Sequence, residues 1–137
     1  MNGKERLFKT LRHETTNEIP WIPFAGVHAG NLKGYNATDV LTDSDKLFES
    51  LIAVNEAYDP DGQPVLFDLQ VEAEILGCEL LWAEKAPPSV ASHPLATLTE
   101  IPDGLPEKTD GRLPMILDVM KRMKSAVGDE TALMGLV

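Results

Sequence analysis

The chain has 137 residues, 43% hydrophobic and 25% charged, which is typical of a folded domain and unlike a disordered chain. Its 22 acidic and 12 basic residues give a formal charge of -10, so we expect no binding to nucleic acid or to an anionic membrane surface. No stretch approaches the roughly 20 apolar residues of a membrane helix, and the charged N-terminus is unlike a secretory signal. The sequence therefore predicts a cytoplasmic protein without a membrane anchor.

The first predicted elements are a helix over residues 3–13 and a strand over Ile19–Ala25. Asn2 and Glu5 have the spacing of a capping box at the start of that helix. Nearly every residue of the following segment is apolar, which indicates a strand that is covered on both faces. Its two prolines favour an edge or strand-start position, because proline has no N–H to donate to a neighbouring strand.

A glycine-rich segment, Gly26–Gly34, follows the first predicted strand. Three glycines in nine residues let the backbone take positive φ angles or approach a ligand closely. The spacing differs from that of dinucleotide-binding turns. We expect His28 and Gly30 to contact substrate, with His28 as a proton-transfer group or ligand contact. The alternative for His28 is a loop histidine that is hydrogen-bonded to backbone.

A parallel β/α unit is predicted next. Leu47–Tyr58 has the apolar period of an amphipathic helix, with N-cap residues directly before it, and the strand Pro64–Asp68 follows. In such a unit the two strands are parallel, so their carboxyl ends lie on one side. We therefore expect the Gly26–Gly34 segment and Asp68 to share one mouth.

Asp68 is the first candidate for chemistry. It ends an apolar strand, and no basic residue lies near it in sequence. Residues that leave the carboxyl end of a parallel strand line the functional mouth in α/β folds, so we predict that Asp68 is catalytic and that Gln70 binds substrate. The alternative is that Asp68 caps the short helix that starts at Val71 and stops at Gly77.

The next part of the chain is predicted to be less regular. Glu79–Glu84 indicates a brief strand, and Pro87–Leu95 contains too many prolines for regular structure. Long irregular segments are often binding loops, so Ser89 is a candidate substrate contact. The alternative is a hairpin that covers the domain.

A final helix and strand complete the predicted elements. Thr109 or Asp110 can cap a helix whose apolar residues recur from Leu113 to Val127, and Thr131–Val137 indicates a third strand. Three parallel strands with helices between them leave an apolar edge open. We therefore expect the chain to be the first part of a (β/α)8 TIM barrel, with pairing of that edge in a homo-oligomer as the alternative.

The stretch Leu66–Cys78, followed by Ala86–Val90, resembles the uroporphyrinogen decarboxylase superfamily, which includes the methylcobamide:coenzyme M and related corrinoid-dependent methyltransferases. The resemblance covers essentially the whole chain and implies that residues 1–137 are the N-terminal portion of a (β/α)8 barrel. It also implies that Asp68 matches the aspartate that hydrogen-bonds the pyrrole N–H groups in the decarboxylases. There a carboxylate stabilises the positive charge that develops when a ring carbon is protonated.

The segment that follows the first strand helps to distinguish two branches of that superfamily. The decarboxylases carry glutamine-alanine-glycine flanked by arginines, whereas this chain has His28-Ala29-Gly30 and no flanking arginine. A substrate with eight carboxylates needs cationic partners, so the resemblance favours the methyltransferase branch over a decarboxylase that needs no cofactor. A binding or assembly module is the third hypothesis, if the 137 residues are the complete gene product.

The methyltransferase branch implies a cofactor and a partner. A zinc ion activates the acceptor thiol there, and the methyl group arrives from a corrinoid protein. The zinc ligands of that branch lie in the C-terminal half, so we expect no metal site in residues 1–137. Cys78, the single cysteine, is interpreted as a packed core residue. The expected ligand is a tetrapyrrole or corrinoid-type molecule.

Overall fold

The computed structural model describes residues 1–97, 99–101 and 103–136. Within these ranges the strands are β1 (Gly62–Pro64), β2 (Glu79–Leu81), β3 (Ser89–Ser92) and β4 (Ala132–Met134). The helices are α1 (Gly3–Leu11), α2 (His28–Asn31), α3 (Ala37–Thr42), α4 (Ser44–Tyr58), α5 (Val71–Ile75) and α6 (Leu113–Val127), and a 3-10 turn spans Pro94–Ala96.

The predicted N-terminal helix is confirmed, and so is its capping box. The Asn2 side chain accepts from the Glu5 N–H, and the Glu5 side chain accepts from the Asn2 N–H. The helix ends at Leu11, slightly earlier than predicted, and His13 takes a left-handed φ of 60° just beyond it.

The predicted strand over Ile19–Ala25 is wrong, because this segment forms no strand in the structure. It still lies beside the start of β1. The Trp21 carbonyl accepts from the Asp61 N–H at 3.0 Å, and the Trp21 N–H donates to Asp61 Oδ2 at 2.7 Å. Pro20 and Pro23 have no N–H, so a continuous ladder with β1 cannot form.

The glycine-rich segment contains a helix that the sequence did not predict. Gly26 and Gly34 take positive φ values of 55° and 76°, and the short helix α2 lies between them. The second unpredicted helix, α3, starts at a capping box formed by Asn36 and Asp39. That signal is present in the sequence, because the two residues have the same spacing as Asn2 and Glu5.

Helices α4 and α6 are confirmed and pack against each other. Asp43 caps α4, because its carboxylate accepts from the N–H groups of Asp45 and Lys46. The predicted cap of α6 is wrong: Arg112 is the N-cap residue, and the Asp110 side chain accepts instead from the Glu107 N–H.

Strands β1 and β4 pair in parallel, and α5, the β2–β3 hairpin and α6 connect them. The predicted strand Pro64–Asp68 is misplaced, since β1 ends at Pro64. The Val65 N–H continues the pairing briefly by donating to the Met134 carbonyl at 3.0 Å. The predicted third strand, Thr131–Val137, is confirmed over β4, and Val137 lies outside the described residues.

Strands β2 and β3 form an antiparallel hairpin. The prediction that Pro87–Leu95 is irregular is therefore wrong over Ser89–Ser92, and the hairpin of the alternative interpretation is confirmed. Strand β3 is exposed along its whole length.

The core lies between the two long helices and the parallel strand pair. Its buried apolar residues are Val40, Leu41, Leu47, Leu51, Val65, Leu66, Val71, Val119 and Met123. Within the described part of the chain, no helix has both the length and the apolar composition that crossing a membrane requires.

Candidate functional site

Asp68 lies in the segment that leaves the carboxyl end of β1, and its side chain has no solvent exposure. Its Oδ1 accepts from the Gln70 N–H at 2.9 Å, which closes the turn before α5. Gln70 itself occupies the N-cap position of that helix, so Asp68 is not the helix N-cap. The carboxylate is thus held by the local backbone at a strand end where barrel enzymes place functional groups.

Arg112 neutralises this buried carboxylate. Its Nη1 lies 2.6 Å from Asp68 Oδ2, and its Nε donates to Glu74 Oε2 at 2.7 Å. Nη1 also donates to the Leu41 carbonyl at 3.0 Å. A buried carboxylate without such a partner would be strongly unfavourable, so Arg112 explains how Asp68 is tolerated at this position.

The ion pair is close but incompletely hydrogen-bonded. Asp68 Oδ2 and Arg112 Nη2 are both buried, and neither makes a hydrogen bond with another described residue. The short distance between Asp68 and Arg112 therefore reflects charge attraction without the aligned, bidentate geometry of the strongest arginine–carboxylate pairs. The guanidinium also lies over the Trp82 ring, with its central carbon 5.0 Å from the ring centroid.

An apolar cavity of about 420 Å³ adjoins Asp68, and its size suits a small-molecule ligand. Its wall comes from the segments that follow β1 and β4 and from the first half of α6. The lining residues are Val65, Leu66, Asp68, Leu69, Val71, Glu72, Lys108, Leu113, Ile116, Leu117, Met120, Gly135 and Leu136. Asp68 is therefore part of the wall of an apolar space at the strand ends.

The glycine-rich segment approaches Asp68 at one end only. A Cβ atom on Gly26 would lie 3.8 Å from the Phe67 ring, and the Phe24 and Phe67 rings are 5.4 Å apart in an edge-to-face arrangement. His28, in contrast, is exposed, and its Nε2 lies 2.9 Å from the hydroxyl of Tyr58 at the end of α4. Among the described residues, no hydrogen bond or ion pair joins His28 to Asp68.

The other candidate residues have different surroundings. Gly30 is buried where α2 meets α3, and an added Cβ would lie 2.5 Å from Val40 Cγ2. The Gln70 backbone holds Asp68, as described above. Ser89 is exposed at the start of β3. Substrate contacts of His28, Gly30, Gln70 and Ser89 remain predictions.

A metal site would need a cluster of suitable ligands. Within residues 1–97, 99–101 and 103–136, no three His, Cys, Asp or Glu side chains lie close enough together to hold a metal ion. Cys78 is half-buried and follows α5. The residues present therefore do not fit a zinc ion, and no chemistry through zinc is assigned to them.

All four arginines of the chain lie in ion pairs with carboxylates. Arg6 pairs with Asp61 and Glu18, and Arg112 pairs with Asp68 and Glu74. The remaining pairs are Arg12 with Glu14 and Arg122 with Asp45 and Asp118. The two largely buried arginines, Arg6 and Arg112, are therefore already bound to carboxylates within the chain.

A family model described as uroporphyrinogen decarboxylase (URO-D) matches residues 2–137. The fold is similar to that of a methyltransferase from Methanosarcina mazei, with a TM-score of 0.80 and 23% sequence identity. The similarity covers 98% of this chain and 42% of the methyltransferase. Comparison with curated protein sequences gives no significant match. The predicted superfamily and fold class, the first part of a parallel-stranded α/β barrel, are confirmed.

Proposed function

The chain belongs to the uroporphyrinogen decarboxylase family, and from this premise we propose that it forms the first part of a barrel enzyme that transfers a methyl group from a corrinoid protein to a thiol. The proposal includes a cytoplasmic location. The similarity in fold to a methyltransferase is in agreement with a barrel of this kind.

The observation that carries the proposal is that the arginines already form ion pairs with carboxylates of the chain. A porphyrinogen with eight carboxylates needs several cations in a site with little water, because buried charges without partners are very costly. All four arginines already bind carboxylates of the chain itself. A thiol acceptor and a methyl group make no such demand, so methyl transfer fits these residues better than porphyrinogen decarboxylation.

Asp68 and the adjoining cavity define what this chain contributes. The cavity wall is mainly apolar, so it can exclude water and hold an apolar part of a ligand. The Asp68 carboxylate, fixed by Gln70 and Arg112, gives that wall a negative group in a fixed orientation. In the methyltransferase branch, zinc when bound supplies the thiolate form of the acceptor. The described residues do not fit that ion, so no step assigned to them involves it.

The second candidate is a true decarboxylase, which the description of the matching family model favours. It would use the Asp68 carboxylate to stabilise positive charge on a pyrrole ring. The burial of that side chain behind Arg112 argues against this role, because the carboxylate already has a cationic partner.

One assay separates these functions. The full-length protein is incubated with methylcobalamin and a small thiol, and in parallel with uroporphyrinogen. We expect a methyl thioether and cob(I)alamin, because the cobalt–carbon bond breaks as the sulfur–carbon bond forms, and we expect no release of CO₂ from the porphyrinogen. Release of CO₂ without a thioether would establish the decarboxylase. Neither product would favour the binding or assembly module.

A further inference from the structure

We propose that Arg112 is the positioning residue for Asp68 and that it couples Asp68 to the β2–β3 hairpin through Trp82. The proposal that this coupling serves catalysis rests on the proposed function. The coupling itself can be measured independently of any activity.

Arg112 joins parts of the chain that are far apart in sequence. It contacts Asp68 after β1, Glu74 in α5 and the Leu41 carbonyl in α3. It also lies over Trp82, which directly follows β2. One buried guanidinium therefore sets the relative positions of the carboxylate, two helices and the hairpin.

This role requires the shape of arginine. The guanidinium is planar, so it can donate from several nitrogens in one plane while its face stacks on an aromatic ring. Lysine offers a single ammonium group on a flexible stem. It can retain a charge beside Asp68, but it cannot also reach Glu74, the Leu41 carbonyl and the Trp82 ring with that geometry.

Among the described residues, two hydrogen bonds also attach the hairpin to the domain. The Ala37 N–H donates to the Glu84 carbonyl at 2.7 Å, and the Thr38 hydroxyl donates to the Ala83 carbonyl at 3.2 Å. Both contacts tie the hairpin to α3 and neither touches Asp68. A change at Asp68 can therefore reach Trp82 through Arg112, although no hydrogen bond or ion pair joins Asp68 directly to Trp82 among the described side chains.

The coupling is tested by ¹⁹F NMR of the full-length protein labelled with 5-fluorotryptophan. The Trp82 resonance is identified by its loss in Trp82→Phe. We expect Arg112→Lys and Asp68→Asn each to move this resonance beyond the wild-type linewidth. Arg122→Lys is the matched control, because Arg122, like Arg112, pairs with carboxylates and stacks on a ring, that of Phe48. It should leave the Trp82 resonance in place.

Because Asp68→Asn alone removes one member of the buried ion pair, Asp68→Asn with Arg112→Gln is the second test. This double variant removes both charges together, which favours folding over either single change. It should show the same displaced Trp82 resonance. An unmoved resonance in Asp68→Asn or in the double variant would overturn the coupling.

The catalytic part of the proposal is tested by the kinetics of methyl transfer. Arg112→Lys should lower kcat about tenfold to hundredfold, because a misplaced group near the reacting atoms costs that much. KM should change by less than about twofold, since the ligand contacts stay. Equal kcat values for Arg112→Lys and Arg122→Lys would overturn the positioning role. If the wild-type protein transfers no methyl group, the proposed function fails, and the NMR result still decides the coupling.

Discussion

Two buried aspartates lie at opposite ends of β1, and each is paired with an arginine from elsewhere in the chain. Asp61 precedes the strand and pairs with Arg6 of α1, whereas Asp68 follows the strand and pairs with Arg112. Both oxygens of Asp61 accept hydrogen bonds, from Arg6 and from the Trp21 N–H. Asp68 has one oxygen, Oδ2, without a hydrogen bond among the described residues.

We propose that this difference separates a structural aspartate from a functional one. In barrel folds the amino-terminal ends of the strands serve stability, and the carboxyl-terminal ends carry the chemistry. The fully hydrogen-bonded Asp61 suits the first role. Asp68, which lines the cavity at the carboxyl-terminal end of the strand, suits the second.

The largest effect is expected from Asp61→Ala. This change leaves Arg6 without its buried carboxylate and the Trp21 N–H without its acceptor. We expect the free energy of unfolding to fall by about 3–5 kcal/mol, measured by urea denaturation. Glu14→Gln, which removes an exposed ion pair with Arg12, is the control and should leave the urea midpoint unchanged. A similar urea midpoint for the two variants would contradict a stabilising role for Asp61.

Asp68→Asn should cost less stability than Asp61→Ala. The asparagine oxygen can still accept from the Gln70 N–H, and Arg112 keeps Glu74 and the Leu41 carbonyl as partners. We expect a loss of about 2 kcal/mol in the same denaturation experiment. A loss as large as that of Asp61→Ala would mean that both ends of β1 serve stability equally.

Gly30→Ala tests whether a predicted substrate contact is instead a packing position. The new methyl group would lie 2.5 Å from Val40 Cγ2 and 2.8 Å from the Tyr35 carbonyl, so neighbouring groups must move. We expect a loss of about 1–2 kcal/mol in unfolding free energy, because overpacking strains the core. Unchanged stability together with weaker ligand binding would support the prediction that Gly30 contacts substrate.

The smallest effect is expected at an exposed ion pair, which provides a baseline for the two buried ones. The Lys46 ammonium, which donates to Asp39, holds the pKa of that carboxyl below its ordinary value of 3.8. A carboxyl whose pKa is lower when folded stabilises the fold above its unfolded pKa, and this stabilisation is lost as pH falls through the folded pKa. Asp39→Asn should therefore lower the urea midpoint slightly at pH 7 and not at pH 2. An equal fall in the urea midpoint at pH 7 and pH 2 would assign the effect of Asp39→Asn to the loss of the α3 capping box.

The sequence predicted those elements that depend on local patterns. The capping box of Asn2 and Glu5, the Asp43 cap and the apolar periods of α4 and α6 are all carried by nearby residues. The strand failures involve backbone pairing over longer distances, whereas the missed capping box of α3 is a local signal. Ile19–Ala25 has the composition of a buried strand, but its two prolines leave too few donors to complete a ladder with β1.

The candidate site was predicted only in part, because its second half comes from a distant segment. The position of Asp68 at a strand exit follows from local pattern, whereas its pairing with Arg112 depends on how α6 packs on α4 and the sheet. One signal did point to such a partner. A carboxylate after a buried strand needs a cation, but local pattern does not identify which of the 12 basic residues supplies it.

The assignment of function to the carboxyl-terminal end of β1 is tested most directly by the methyl-transfer rates of two full-length variants, Asp68→Asn and Asp61→Asn. Both are measured at a temperature where circular dichroism shows each to be folded. Asp68→Asn should lose most of its kcat while Asp61→Asn keeps a rate near that of the wild type. A near wild-type rate for Asp68→Asn would contradict the account and leave Asp68 as a second structural ion pair.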